Sequence, residues 1–261
     1  MTILYATGVL GALGLIFGAI LTFAGKAFHV QIDPRVAEVR ACLAGANCGA
    51  CGYAGCDAYA EAVAKGEAKP TLCAPAGNEA AQEIARIMGV SADQMDKKVA
   101  RLLCQGTIGI AGDRYTYDGY QSCRVAAGIA GGPKDCEYGC IGLGDCVGHC
   151  AFGAMSIRGG VVHIDEALCT ACGACVPICP RNVIELAPMN QKVTVRCLNT
   201  DTAKNARADC MRACIACKRC VQACQYDAIH VENNVARIDP EKCTQCGDCA
   251  KVCPCKCITL K

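Results

Sequence analysis

The sequence predicts an α+β protein with a single N-terminal transmembrane helix, a small helical domain and two tandem copies of a cysteine-rich module. Three observations predict this order. Residues 2–25 carry no charged side chain, 27 of the 261 residues are cysteine, and the second half of the chain repeats its cysteine pattern. Each observation concerns a different part of the chain, so together they predict its whole organisation.

The first element is an apolar helix that anchors residues 1–26 in a membrane. At about 1.5 Å per residue, the segment from Thr2 to Gly25 makes roughly 36 Å of helix, against a hydrocarbon core of about 30 Å. A cleaved secretory signal is the alternative, but no Lys or Arg precedes the run, and export would bring the thiols into an oxidising compartment. Lys26 and Arg35 follow the run, so the positive-inside rule predicts a single-pass protein of the cell membrane whose domains lie on the cytoplasmic side.

The cysteines are spaced for metal ligation rather than for disulfides. Their number is odd, and runs of C-x-x-C-x-x-C place neighbouring thiols too close to pair comfortably, whereas they suit a cuboidal iron–sulfur cluster. The chain has no Trp, 4 Phe and 8 Tyr, so an ordinary aromatic core is not expected. A net charge of only +2 offers no general field for nucleic acid, and no such partner is expected.

Residues 27–95 are predicted to form a helical domain around one [4Fe-4S] cluster. Asp33-Pro34 is typical of a helix start. The segment ANCGACGYAGC supplies a C-x2-C-x4-C loop, and the predicted ligands are Cys48, Cys51, Cys56 and Cys73. A zinc knuckle also uses four cysteines and is the alternative for this motif taken alone. Cys42 lies outside the pattern and is expected to be a small buried residue.

The remaining cysteines form an internal duplication. A shift of 74 residues superposes nine pairs: Cys123 on Cys197, Cys136 on Cys210, Cys140 on Cys214, Cys146 on Cys220, Cys150 on Cys224, Cys169 on Cys243, Cys172 on Cys246, Cys175 on Cys249, and Cys179 on Cys253. Each copy also has a strand-like pair joined at Gly159-Gly160 or Asn233-Asn234, followed by C-x2-C-x2-C-x3-C-P. The sequence therefore predicts modules over 117–190 and 191–261, preceded by a linker over 96–116.

Such paired runs resemble the bacterial two-cluster ferredoxin, in which three cysteines of each run bind one cluster and the fourth crosses to the other. The resemblance implies two [4Fe-4S] clusters in each module and about five in the chain. In the first module it implies two ligand sets, Cys136, Cys140 and Cys146 with Cys179, and Cys169, Cys172 and Cys175 with Cys150. In the second it implies Cys214, Cys217 and Cys220 with Cys253, and Cys243, Cys246 and Cys249 with Cys224.

The first run of each module departs from the ferredoxin pattern. In the first module it reads C-x3-C-x5-C-x3-C, and in the second an additional Cys210 precedes the usual spacing. Strict repeat symmetry selects Cys210 as a ligand and leaves Cys217 spare, whereas the motif selects Cys217, which we favour. Six cysteines then remain, and their spacings fit no cluster motif: Cys104, Cys123, Cys197, Cys210, Cys255 and Cys257. They are expected to be structural or reactive thiols, with a sixth cluster assembled from some of them as the alternative.

Motifs for other cofactors are missing from the sequence. There is no G-x-G-x-x-G between a strand and a helix, no Walker loop, no H-E-x-x-H and no C-x-x-C-H, so neither catalytic residues nor a flavin or nicotinamide site are expected. Between Lys192 and Arg219, seven basic residues accompany two acids. Complementary charge speeds encounters between redox proteins, which makes this segment a candidate docking surface, with a solvated face as the alternative.

The order of a membrane helix, ANCGACGYAGC with Cys73, and ferredoxin-type pairs is similar to the B subunit of the Rnf complex. That complex is a membrane ferredoxin:NAD⁺ oxidoreductase that moves sodium ions or protons, and the resemblance covers nearly the whole chain, with two ferredoxin pairs as in clostridial members. It implies an electron-entry subunit that accepts electrons from soluble reduced ferredoxin and passes them to other membrane subunits. An electron-transfer subunit of a different membrane oxidoreductase and a structural zinc protein are the alternatives.

Overall fold

The computed structural model describes residues 2–27, 33–94 and 96–261, which leaves Met1, residues 28–32 and Met95 outside the description. The described residues form a mixed helix and strand fold, as predicted. The helices are α1 (Thr2–Ala27), α2 (Pro34–Cys42), α3 (Cys56–Ala64), α4 (Gly77–Met88), α5 (Cys123–Ala127), α6 (Asp145–Gly148), α7 (Cys175–Ile178), α8 (Ala203–Asp209), α9 (Arg219–Ala223) and α10 (Asp248–Lys251). The strands are β1 (Lys98–Leu102), β2 (Met155–Arg158), β3 (Val161–Ile164), β4 (Ile184–Pro188), β5 (Val193–Val195), β6 (Ile229–Glu232), β7 (Val235–Ile238) and β8 (Ile258–Leu260).

Helix α1 contains the predicted membrane segment. Its residues Thr7–Lys26 are long and apolar enough to cross a membrane, and they stay outside the packed domains. Leucine, isoleucine and phenylalanine side chains point outward along its length. An apolar helix with this exposure needs an apolar surrounding, which a bilayer or a neighbouring membrane helix supplies.

Helices α2, α3 and α4 form the small N-terminal domain. Asp33 caps α2, since its Oδ1 accepts a hydrogen bond from the Arg35 backbone N–H at 2.9 Å, and Pro34 occupies the first helical position. The predicted helix start is therefore confirmed. Val39, Tyr59 and Ile84 are fully buried at the centre of the domain. The Tyr59 hydroxyl donates to the Lys69 carbonyl at 2.7 Å, so this buried phenol has a partner.

The cysteine-rich half contains four antiparallel pairs of strands, β1–β4, β2–β3, β5–β8 and β6–β7. The predicted strand pairs are confirmed as the hairpins β2–β3 and β6–β7. Their two-residue turns both have positive φ, at 56° and 75° for Gly159-Gly160 and at 46° and 62° for Asn233-Asn234. Such turns match the twist of the strands they join, and Gly and Asn adopt them at little cost.

Part of the segment predicted as a linker, 96–116, is instead a strand of the first module. Strand β1 pairs with β4, which follows the second cysteine run of that module. Val99 and Leu102 are buried, and the buried Arg101 donates from Nη1 to Thr194 Oγ1 of β5 at 3.0 Å. The segment is integrated because its apolar residues cover a module core, and its hydrogen bonds reach both modules. The cysteine repeat alone does not reveal this, because an insertion separates β1 from Cys123.

Cysteines make up much of the packed interior of the modules. Six of the fourteen buried residues in the core of the second module are cysteines, and four of the eleven in the core of the first. The other buried residues are mainly Val, Ile and Ala. With so little large apolar surface to bury, these modules depend on whatever the thiols bind.

Candidate metal centres

The four cysteines predicted for the N-terminal domain lie together. Cys56 opens α3, and its backbone N–H donates to Asn47 Oδ1 at 2.9 Å, which holds the end of the loop against the helix. Burial raises the pKa of the Cys73 thiol, and the neighbouring Cys51, Cys56 and Cys48 raise it further. Buried thiolates repel one another unless a cation lies between them, so this group has the donor chemistry of an iron site.

The second predicted group, Cys150, Cys169, Cys172 and Cys175, also lies together. Burial raises the pKa of Cys175 to about 12, and the next largest contributions come from Cys172 and Cys169, followed by Cys150. The Ala100 backbone N–H of β1 donates to Cys169 Sγ at 3.4 Å. An N–H group aimed at a sulfur stabilises a thiolate and is a means of tuning a cluster.

The third group differs from the prediction by one residue. A cavity in the first module is lined by Cys123, Cys140, Cys146 and Cys179, and Cys136 lines a different cavity. Leu143 stands where the shift of 74 residues places Cys217 of the second module, so the first run lacks one thiol of the motif. Cys123, the first residue of the inserted helix α5, lines the cavity as its fourth cysteine.

Hydrogen bonds explain how Cys123 reaches this cavity. Ser122 caps α5 and donates from Oγ to Asp145 Oδ2 at 2.9 Å, while the same carboxylate oxygen accepts from the Arg124 N–H at 3.1 Å. Asp145 is the first residue of α6 and precedes Cys146, so the two helices bring their cysteines together. Burial raises the pKa of Cys146 to about 12, with further contributions from Cys140, Cys123 and Cys179. Neither the motif nor the repeat indicates Cys123 as a member of this group. The sequence feature that comes nearest is Leu143, which stands where the motif has a cysteine and so shows that one thiol must come from elsewhere.

Gly142 fixes the wall of this third cavity, and its replacement has a large expected effect. Its φ is +88°, and a Cβ there would lie 2.8 Å from the Gly160 carbonyl carbon in the β2–β3 turn. We expect Gly142→Ala to destabilise the module by about 2 kcal/mol or more, which lowers the anaerobic thermal midpoint by roughly 8–16 °C. Gly148→Ala is the matched control, because nothing lies within 4 Å of a Cβ at that position in α6. Equal midpoints for the two variants would refute this role of Gly142.

In the fourth group, Cys217 and Cys210 line different cavities. Cys214, Cys217, Cys220 and Cys253 line one cavity of the second module, and Cys210 lines another. Cys255 and Cys257 line the same cavity, and Cys257 Sγ lies 3.5 Å from Cys253 Sγ. Hydrogen bonding with the Cys257 thiol lowers the pKa of Cys214 to about 6 and that of Cys253 to about 5, while the pKa of Cys257 is raised. Cys257 is therefore a close neighbour of two predicted ligands.

The cysteines of the fifth group line one cavity. Cys224, Cys243, Cys246 and Cys249 lie beside the β6–β7 hairpin. Burial raises the pKa of Cys249 to about 11, with contributions from Cys243, Cys220 and Cys246. The Ala228 N–H donates to Cys224 Sγ at 3.4 Å, so a sulfur of this group also faces a backbone donor.

Across residues 2–27, 33–94 and 96–261, no three His, Cys, Asp or Glu side chains are grouped as one metal ion requires. A [4Fe-4S] cluster needs its four thiolates further apart, because each binds a different iron atom of the cube. Cysteines ringed around a cavity meet that requirement. Cys42 lies apart from these groups, half-buried, with its thiol donating to the Glu38 carbonyl at 3.4 Å.

Three family models match the chain over the cysteine groups. An Fe-S cluster model matches residues 43–75, a 4Fe-4S binding domain matches residues 162–185, and a 4Fe-4S dicluster domain matches residues 213–257. These matches cover the N-terminal group, the second run of the first module and both runs of the second module. The donor groups therefore coincide with known iron–sulfur sequence families.

Full-length relatives are found among ion-translocating oxidoreductases. The chain is 48% identical to the B subunit of the Na⁺-translocating ferredoxin:NAD⁺ oxidoreductase complex of Acetobacterium woodii, over 98% of this chain and 78% of that protein. It is 39% identical to the B subunit of the ion-translocating oxidoreductase complex of Methanosarcina acetivorans, over 97% and 96%. It is also 39% identical to the B subunit of the proton-translocating ferredoxin:NAD⁺ oxidoreductase complex of Clostridium ljungdahlii, over 97% and 90%.

Proposed function

Because the chain belongs to the family of B subunits of ion-translocating ferredoxin:NAD⁺ oxidoreductase complexes, the Rnf complexes, we propose how its cysteines carry electrons through such a complex. The chain is an iron–sulfur electron-transfer subunit of the complex. Five [4Fe-4S] clusters occupy the five cysteine groups, two in each of two tandem ferredoxin-like modules and one in the N-terminal domain. The observation that carries this proposal is that four thiols of one group line a common cavity in three of the groups. In the other two groups, the neighbouring thiols add to the raised pKa of Cys73 and of Cys175.

The proximity of neighbouring groups supports electron transfer between the N-terminal domain and the first module and within each module. Cys48 of the N-terminal group contributes to the raised pKa of Cys172, after burial, and Cys175 contributes likewise to that of Cys146. In the second module Cys220 has the same relation to Cys249. Groups this close allow an electron to pass between clusters without any movement of the protein.

The residues of the chain hold the clusters and tune their reduction potentials. They form and break no covalent bond during electron transfer. Bound clusters supply one-electron redox chemistry. Backbone N–H groups at Cys169 and Cys224 stabilise the more negative, reduced state, and burial opposes it. The fold thereby fixes both the spacing and the potentials of the sites.

The function is tested by mixing the anaerobically purified protein with reduced ferredoxin. We expect the brown visible absorbance of the protein to bleach, and gentle detergent extraction to recover it with flavin-bearing or nicotinamide-binding subunits. A colourless protein that contains stoichiometric zinc would exclude electron transfer. Recovery without such subunits would instead point to a different membrane oxidoreductase.

Soluble ferredoxin docks at the first cysteine run of the second module. Cys217 is exposed there, and the exposed Lys218 and Arg219 follow it directly. These residues belong to the basic segment found in the sequence, whose Lys192, Lys204 and Arg207 are also exposed. A positively charged rim beside an exposed cluster attracts an acidic redox partner and orients it for transfer.

Reversing the charge of this rim tests the docking site. We expect Lys218→Glu with Arg219→Glu to slow reduction by ferredoxin about tenfold at low salt, with a smaller difference at high salt. Lys65→Glu with Lys69→Glu makes the same change of charge on the exposed surface of the N-terminal domain and serves as the control. Stopped-flow absorbance measures both. Equal slowing by the two pairs would place docking elsewhere.

Helix α1 anchors the protein in the membrane with the cluster domains on the cytoplasmic side. The exposed apolar surface of Thr7–Lys26 and the basic Lys26 at the end of α1 support this orientation. Protease added to inside-out vesicles should digest the cluster domains, and protease added to intact spheroplasts should not. The opposite pattern would reverse the orientation.

A further inference from the structure

Four cysteines outside the five groups surround one more cavity. Cys104 follows β1, Cys136 opens the first run of its module, and Cys197 and Cys210 come from the second module. All four are buried, with exposed fractions of 8–9%. The cavity encloses about 390 Å³, against about 320, 350 and 330 Å³ for the three cavities of the modules. The space is thus of the same size as those that match the ferredoxin motif.

The two modules contribute equivalent pairs to this cavity. Cys104 lies two residues after β1 and Cys197 two residues after β5, while the repeat superposes Cys136 on Cys210. The Cys140 N–H donates to Cys104 Sγ at 3.4 Å, and its repeat counterpart Cys214 donates to Cys197 Sγ at 3.3 Å. The cavity therefore lies on the approximate symmetry axis between the modules, as a site shared by both would.

Each of the four sulfurs faces N–H donors. Besides Cys140, the Gly106 N–H donates to Cys104 Sγ at 3.3 Å. The buried Asn199 directs its Nδ2 toward Cys136 Sγ at 3.7 Å. The backbone N–H group of Arg212 does the same for Cys210. Neutral thiols need few N–H donors to their sulfur atoms, whereas metal-bound thiolates are stabilised by such donors.

Cationic side chains also line the cavity. Lys134 is 8% exposed and donates from Nζ to the Gly106 and Gly160 carbonyls at 2.6 and 3.0 Å. Arg196 donates to the Cys104 and Leu102 carbonyls at 3.1 Å, and Arg212 lines the same wall. A buried ammonium group is costly unless negative charge lies near it. Four thiolates around an iron–sulfur core supply that charge.

We infer that Cys104, Cys136, Cys197 and Cys210 ligate a sixth [4Fe-4S] cluster that connects the two modules. Four Fe–S bonds replace four S–H bonds, with the release of four protons. The thiolates bring four negative charges and the oxidised core two positive ones, so the site is a dianion that gains one charge on accepting an electron from a neighbouring reduced cluster. Cys140 and Cys214 belong to adjacent groups, one in each module, so this cluster closes the gap in the path.

Iron counting on the full-length, anaerobically purified protein tests the inference. The inference depends on the proposed function only for the type of cluster that the cysteines bind. We expect about 24 irons per wild-type chain rather than about 20, with matching acid-labile sulfide. Cys136→Ala with Cys210→Ala should lose about four of each. Cys42→Ala, at a cysteine outside all six groups, should lose none.

A second pair of substitutions separates the two proposals. Cys243→Ala with Cys246→Ala removes ligands of a motif-defined group and should also lose about four irons. If this pair keeps its iron, the proposed function fails. The other outcome is that the Cys243 and Cys246 variant loses iron while the Cys136 and Cys210 variant keeps the wild-type amount of iron or loses only one zinc ion. That outcome would refute the sixth cluster. The wild-type count decides the question even if a variant fails to fold, since about 20 irons would overturn the inference.

Discussion

Removing iron from the purified protein should unfold both cysteine-rich modules. Chelation with mild oxidation is expected to abolish cooperative thermal unfolding, because the buried thiols at the centre of each module lose their bridging atoms. Structural zinc sites contribute about 10–16 kcal/mol to folding, and a cluster held by four thiolates is expected to be of similar importance. Few large apolar side chains are present to compensate, since the described core of the modules consists mainly of Val, Ile, Ala and Cys.

Amide hydrogen exchange measures this loss segment by segment. The hairpins β2–β3 and β6–β7 should lose their protection when iron is removed, because each borders a cysteine cavity. The chelator without oxidant, under anaerobic conditions, controls for nonspecific effects. Persistent protection of both hairpins in iron-free protein would show that the polypeptide folds without clusters.

Loss of one interior cluster should stop electron flow through the assembled complex. Cys146→Ala removes a ligand between the second group and the module interface, and Cys146 is buried among Cys140, Cys123 and Cys179. We expect ferredoxin-dependent NAD⁺ reduction to fall below about one-hundredth of the wild-type rate. Ferredoxin should still bleach the clusters of the second module, because we propose that docking and the first transfers occur there.

Vesicles containing the complete complex provide the assay, and Cys42→Ala is the control because this cysteine lies outside the groups and its thiol donates to the Glu38 carbonyl. Recovery of the partner subunits after detergent extraction shows whether the complex has assembled. A Cys146→Ala complex that assembles and reduces NAD⁺ at the wild-type rate would show that electrons bypass the first module.

Motif spacing predicts the cysteine groups that are local in sequence. Cys48, Cys51 and Cys56 share one loop, and Cys243, Cys246 and Cys249 another, so a short segment defines most of each group. The turns at Gly159-Gly160 and Asn233-Asn234 could be predicted equally well, because the residue preferences of a turn are local.

The remaining cysteines required long-range information. Cys123 reaches Cys140 and Cys146 through Ser122 and Asp145, a contact between segments 23 residues apart that no spacing rule encodes. Cys104 and Cys197 become equivalent only when β1 and β5 are known to be strands that precede them. The repeat did pair Cys136 with Cys210, which was a signal that both have the same role. It could not show that the role lies between the modules.

A density map of the anaerobically prepared, intact protein tests the central claim, that cysteine sulfur binds iron. We expect a compact cube of density among each of the motif-defined groups, such as Cys224, Cys243, Cys246 and Cys249, with strong anomalous scattering at the iron edge. Bridged cystines, or single tetrahedral ions that scatter at the zinc edge, would contradict it.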